Sequence, residues 1–187
     1  SVAVPLDAGL PAEDLEELLN RSDSEALFIS EKNRSLIPGI LSSCPKLKQI
    51  WMLQGQGEEP ADRVFPLARL LEEGEQAEDP EEQVRAEDIA TIIYTSGTTG
   101  KSKGVMLTQA NLAQNVLSVT ISVKPGTKVL SVLPIHHAFC LVMDWLKGFS
   151  LGATLCINDS FMHMVRNMGI FQPEMMLMVP MMIETLY

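Results

Sequence analysis

Short apolar runs alternate with amphipathic segments along most of this chain, and that alternation constrains the fold more than any other feature. Strands are predicted over residues 2–6, 26–30 and 50–53, and helices over 11–20 and 35–43. In the first helix Leu15, Leu18 and Leu19 share one face, and Pro11 suits its first turn. Residues 89–95, 105–107, 129–133, 154–157 and 176–179 are further strand candidates. Between them, helices are predicted over 109–122 with Thr108 as cap, over 138–150, and from a Ser160 cap to a stop at Gly169. Pro180 opens a last helix. Nearly continuous apolar strands need cover on both faces. The expected fold is therefore α/β, three-layer, with a mostly parallel sheet and helices on both sides. Ligands of such sheets bind beyond the carboxyl ends of strands.

One of those strands runs straight into the most informative segment, Ile92-Ile93-Tyr94-Thr95-Ser96-Gly97-Thr98-Thr99-Gly100-Lys101-Ser102-Lys103-Gly104-Val105. The glycines let several backbone N–H groups converge on one point. Thr95, Ser96, Thr98 and Thr99 add hydroxyl donors, and Lys101 and Lys103 add positive charge. Many donors, little bulk and two cations suit a polyphosphate. The segment is not a P-loop, which needs four residues between its first glycine and its Gly-Lys pair; only two separate Gly97 from Gly100. A strand rather than a helix is also predicted to follow. The alternative reading is a plain Ser/Thr/Gly hairpin, and the length of the string favours the phosphate reading.

The string from Tyr94 to Val105 resembles the phosphate-loop signature of the adenylate-forming superfamily, the AMP-binding acyl-CoA synthetases and ligases, luciferases and peptide-synthetase adenylation domains. Ser102 stands where that signature commonly has Pro, and Lys103 matches its lysine. Leu133-Pro134-Ile135-His136-His137-Ala138-Phe139 is similar to the family's Leu-Pro-x-x-His motif, with His137 at the motif histidine. The Val2–Asp7 stretch and Met178-Val179-Pro180 resemble a strand before the loop and a turn after it. The resemblance implies an internal fragment of the family's large N-terminal domain. The acidic surface stretch itself suggests two subunits, 1–75 and 89–187, that it joins.

It also implies chemistry. A carboxylate attacks the α-phosphate of ATP, pyrophosphate leaves, and coenzyme A takes the acyl group. Thr95, Ser96, Gly97, Thr98, Thr99, Gly100, Lys103 and Gly104 would hold the leaving phosphates, with Mg2+ bridging them. His137 would lie near the acyl carboxylate; His136 is left open, and His163, on a predicted helix, is read as structural. The His-His-Ala-Phe motif looks most like long-chain fatty-acyl-CoA ligases. An aryl- or amino-acid adenylating enzyme and a non-catalytic nucleotide-binding module are the alternatives. The family's adenine-, ribose- and late-lysine motifs belong after Tyr187, so residues 1–187 alone are expected to be inactive. Apolar surface normally covered by the missing parts is expected to favour self-association.

Composition narrows the rest. The formal net charge of −10 argues against nucleic acid as a partner. Nine carboxylates and one base lie between Glu72 and Asp88, the pattern of a solvated loop. Cys44, Cys140 and Cys156 form no CxxC pair and, with the histidines, no metal-ligand spacing. Scattered, odd-numbered cysteines fit a reducing cytoplasm. No run reaches membrane-spanning length, and no signal peptide is visible. The Met-rich end, Met175, Met176, Met178, Met181 and Met182, suits buried packing better than an acyl tunnel.

Overall fold

Leu15, Leu18 and Leu19 are buried along one side of α1 (Ala12–Arg21), as their spacing predicts. The computed structural model containing this helix describes residues 1–54, 63–80, 82–95, 102–121 and 123–186. They divide into one unit over Leu6–Val84 and another formed by Ser1–Pro5 with Arg85–Tyr187.

In the first unit, α1 is followed by β1 (Ala26–Ile29), a 3₁₀ turn over Glu31–Leu36, α2 (Ile37–Ser43) and β2 (Gln49–Met52). β3 (Val64–Pro66) and α3 (Leu67–Glu75) complete it. The three strands are parallel in the order β1-β2-β3, with Leu27 opposite Ile50 and Ile50 opposite Val64. Leu15, Leu19, Ile29, Ile37, Ile40, Leu47, Ile50 and Met52 form the core between this sheet and its helices. β3 is not among the strands that the sequence predicts. From Glu72 to Asp88 every described residue is exposed, as a solvated acidic stretch requires.

The second unit holds two sheets. β4 (Ile89–Thr95) and β5 (Lys103–Thr108) form an antiparallel hairpin with Ile93 opposite Val105. Ala3 bridges β4 in parallel: Ile92 N donates to Ala3 O at 3.0 Å, and Thr91 Oγ1 donates to the same oxygen at 2.8 Å. The strand expected over residues 2–6 is reduced to that single bridge. α4 (Gln109–Ser118) carries the predicted cap: Thr108 Oγ1 accepts from Asn111 N at 3.2 Å, and Asn111 Oδ1 accepts from Thr108 N at 3.0 Å. It ends four residues before the predicted boundary at 122, since Val119 is already extended.

β6 (Lys128–Ser131) is the central strand of a parallel sheet ordered β7-β6-β8, with β7 (Thr154–Ile157) and β8 (Met175–Met176) beside it. Leu130, fully buried, stands opposite Cys156 and Met176. The helix predicted over 138–150 is present, but only α5 (Ala138–Cys140) and α6 (Lys147–Ser150) are α-helical. Leu141–Leu146 between them is wound as a π-helix. Gly148 lies where an added Cβ would come within 2.8 Å of Leu155 Cδ2, so helix and β7 meet closely there. Ser160 caps a 3₁₀ turn that leads into α7 (Met164–Phe171). That helix runs past Gly169 and ends at Gln172, which takes the left-handed conformation at φ 48°. α8 (Pro180–Leu186) begins at Pro180 as expected. The structure is thus mixed α/β, with two wholly parallel sheets, helices and one hairpin.

Candidate functional site

The β4–β5 hairpin presents the two ends of the stretch of hydroxyls and glycines side by side: Thr95 pairs with Lys103 where the strands meet that stretch, and both are exposed. Thr91 and Ile93 are buried and anchor β4. Ser96, Gly97, Thr98, Thr99, Gly100 and Lys101 lie outside the described residues. Among the described residues Lys103 has no ion-pair partner, so its ammonium adds local positive charge at the loop's edge. Gly104 has a local reason to be glycine. It stands opposite Tyr94, and an added Cβ would lie 3.0 Å from Ile92 Cγ2 and 3.2 Å from Tyr94 Cε1.

His137 occupies a different element of the same unit, the turn that follows β6. It is the N-cap of α5, exposed, with its N–H donating to Pro134 O at 3.1 Å and its carbonyl accepting from Leu141 N at 3.1 Å. Its ring packs against that of His136 at 4.4 Å between centroids. Behind the turn lies a polar cluster that the sequence reading did not single out. Cys140 Sγ donates to Leu133 O at 2.9 Å, and Trp145 Nε1 donates to Ser131 Oγ at 3.2 Å. Asp144 is buried beside Cys140, 3.7 Å from its sulfur. Burial holds the Asp144 carboxyl above the usual carboxylate range, and burial pushes the Cys140 thiol up to about 11. A signal was available: Asp144 is the one charged residue in an otherwise apolar run from Ala138 to Leu146.

A cavity of about 500 Å³ opens beyond the carboxyl ends of β6 and β7. Leu133, Pro134, Trp145, Phe161, Met181 and Met182 supply apolar wall, and Ser131 and Asn158 supply polar points. Its position is the one parallel sheets use for ligands. Met182 is buried, whereas Met181 is largely exposed, so the Met-rich end both packs and lines a cavity.

His163 joins a hydrogen-bond network. Its Nδ1 lies 2.8 Å from Asp159 Oδ2, while buried Asn167 donates to Asp159 Oδ1 at 2.7 Å and to Asn158 Oδ1 at 2.8 Å. This network ties α7 to the end of β7, and His163 chiefly, then Asn167, holds the Asp159 carboxyl down to about 2. No group of three or more His, Cys, Asp or Glu side chains that could hold a metal occurs among the described residues. No described helix is long and apolar enough to cross a membrane.

Comparison with known proteins decides the family. The profile of the AMP-binding enzymes matches residues 1–187. The chain belongs to the AMP-binding enzyme family. The long-chain-fatty-acid–CoA ligase FadD15 of Mycobacterium bovis is 27% identical over 198 residues, covering 100% of this chain and 32% of its own length. The peroxisomal long chain acyl-CoA synthetase 7 of Arabidopsis thaliana is 25% identical over 195 residues, covering 100% of this chain and 28% of its own length. In structure, the N-terminal domain of FACL13 from Mycobacterium tuberculosis superposes with a TM-score of 0.79 at 24% identity, over 98% of this chain and 45% of that one. That likeness establishes the adenylate-forming fold. This AMP-binding chain spans about a third of the length of the curated relatives it matches.

Proposed function

We propose that this chain is the part of an ATP-dependent acyl-CoA ligase that holds the leaving phosphates of ATP and one side of the acyl site. The observation that carries the reading is the hairpin: in an AMP-binding chain, it sets Thr95 beside Lys103 at the two ends of the Ser/Thr/Gly string. In the reaction we propose, a carboxylate oxygen attacks the α-phosphorus, pyrophosphate leaves with the P–O bond electrons, and the coenzyme A thiol then displaces AMP from the acyl carbon. Lys103 and the donors of residues 95–104 stabilise charge that grows on the departing phosphates. Mg2+ would supply further charge neutralisation at those phosphates. His137 is assigned to the acyl-carboxylate side, on the strength of the motif it completes.

A fatty acid is the substrate class we favour. Support comes from the relatives' names and from the apolar cavity of about 500 Å³ next to residues 133–135, which is of a size used for small apolar ligands. Because the chain spans about a third of the length of the relatives it matches, we propose that residues 1–187 alone bind ATP weakly in the presence of Mg2+ and form no acyl-adenylate. We also propose that the isolated chain self-associates through exposed apolar side chains such as Met106, Leu117 and Met162; a strict monomer in concentrated sedimentation runs would reject this. For substrate class, carboxylate-dependent ATP–pyrophosphate exchange is measured with the whole protein that carries this chain. Exchange is expected with long-chain fatty acids. Exchange with amino acids or aryl acids alone would replace the fatty-acid assignment, and no exchange with any carboxylate would leave only a nucleotide-binding module.

A further inference from the structure

We propose that Asp144 is a positioning residue for the turn over residues 133–137: as a buried neutral acid it directs the single thiol proton of Cys140 onto the Leu133 carbonyl. Cys140 has one S–H and two acceptors in reach, Leu133 O at 2.9 Å and Asp144 Oδ2 at 3.7 Å. Its sulfur also lies 3.7 Å from Ser131 Oγ. Ser131 accepts from Trp145 Nε1 and has one hydroxyl proton to give. Asp144 is only 1% exposed, and its Oδ1 has no hydrogen-bond partner among the described residues. An ionised Asp144 would set two buried, charged oxygens against two protons, one of which Leu133 O also needs. A carboxylic acid brings a proton of its own. Its O–H on Oδ2 can donate to Cys140 Sγ while the thiol proton stays on Leu133 O, and the partnerless Oδ1 then carries no charge.

The surroundings favour the neutral form. Lys147 also lines the small cavity that Asp144 faces, but its Nζ donates to Val116 O at 2.8 Å. The other elements at that cavity contribute Ile121, Val123, Val129, Leu151, Ala153 and Met175, none of which titrates. Burial raises both the Asp144 carboxyl and the Cys140 thiol, and for the carboxyl it outweighs the hydrogen bonds from Ser131 and Cys140 that favour the charged form. Ionising Asp144 turns the thiol toward the carboxylate and takes from the Leu133 carbonyl the one donor it has among the described residues. Leu133 immediately precedes the turn that His137 N–H closes on Pro134 O, so the loss reaches the His137 position.

The structural half stands apart from the enzymatic reading; the effect on turnover rests on that reading. In the 187-residue chain, carboxyl-carbon NMR is expected to show Asp144 protonated at pH 7. As pH rises through its ionisation, the Leu133 carbonyl-carbon and His137 amide signals should move together. Asp144→Asn, which keeps a neutral donor, should hold those signals at their wild-type positions and abolish their pH response, whereas Asp144→Leu should shift them. Cys140→Ala should shift them too, and Cys140→Ser, which keeps one donor, should restore them should the alanine variant fail to fold. In the whole protein, Asp144→Leu is expected to raise the carboxylate KM about fivefold, the worth of one ordinary hydrogen bond, with Asp144→Asn rescuing it. An ionised Asp144 at pH 7, or a Leu133 signal indifferent to Asp144→Leu and Cys140→Ala, would overturn the proposal. Absence of exchange in the wild-type protein would instead overturn the enzymatic reading and leave the NMR result standing.

Discussion

Gly104→Ala is the most informative small perturbation of the hairpin. The added Cβ would sit 3.0 Å from Ile92 Cγ2 and 3.2 Å and 3.4 Å from two Tyr94 ring carbons, against the 3.5–4.0 Å at which carbon atoms attract. Ile92 is β-branched and stiff at χ1, and it lies in the interior of β4, so it yields little. Tyr94 is half-buried and can swing outward at the expense of its packing. Overpacking of this kind costs about 1–3 kcal/mol. Replacing glycine in a strand returns about 0.5–1 kcal/mol. The difference leaves Gly104→Ala destabilised by about 1 kcal/mol. Urea unfolding of the 187-residue chain is the assay, with Ile92→Ala and the double variant completing the cycle. Removing Cγ2 should make the two changes couple favourably by about 1 kcal/mol. A neutral or stabilising Gly104→Ala, or strictly additive variants, would refute the close-approach explanation and leave Gly104 free for a purely ligand-facing role.

Thr108→Ala should destabilise the chain by about 1 kcal/mol through loss of the reciprocal cap on α4, read as a lower urea midpoint at unchanged slope. The folded pKa of Asp159 lies below its unfolded value, so its pairing stabilises the fold above about pH 4 and that contribution is lost as pH falls through about 2. Unfolding measured across that window should therefore show wild type and His163→Ala converging toward low pH. Cys44, Cys140 and Cys156 are all buried free thiols, so a colorimetric thiol reagent should react slowly with the folded chain and at once in urea.

The local part of this structure was readable in advance because it depends on near neighbours. Leucines three and four apart announced α1, the Thr108 cap announced α4, and continuous apolar runs announced the strands at Ile89, Val129 and Thr154. What escaped depends on contacts distant in sequence. β3 is a three-residue strand that exists because it pairs with β2, and its acidic surroundings disguise it. The π-helical stretch leaves no mark in residue spacing. Asp144 looks like a stray polar residue on an apolar helix until Ser131 and Cys140 are brought beside it. The cavity is assembled from the ends of β6 and β7 and from α8, segments that no local pattern joins. Lys103 and His137 came from motifs; the fold puts both in one unit, on separate elements, without itself assigning them a ligand.

The central claim is that the hairpin loop acts on the leaving phosphates, and Lys103→Ala separates the two half-reactions that would reveal it. With the whole protein that carries this chain, ATP–pyrophosphate exchange reports formation of the acyl-adenylate, and single-turnover thiol transfer from preformed adenylate reports the second step. Removing a charged donor aimed at the growing phosphate charge should slow exchange by about a hundredfold or more. Transfer from the adenylate, from which pyrophosphate has already gone, should remain close to wild type. Exchange at the wild-type rate in Lys103→Ala, or an equal loss in both half-reactions, would contradict the account.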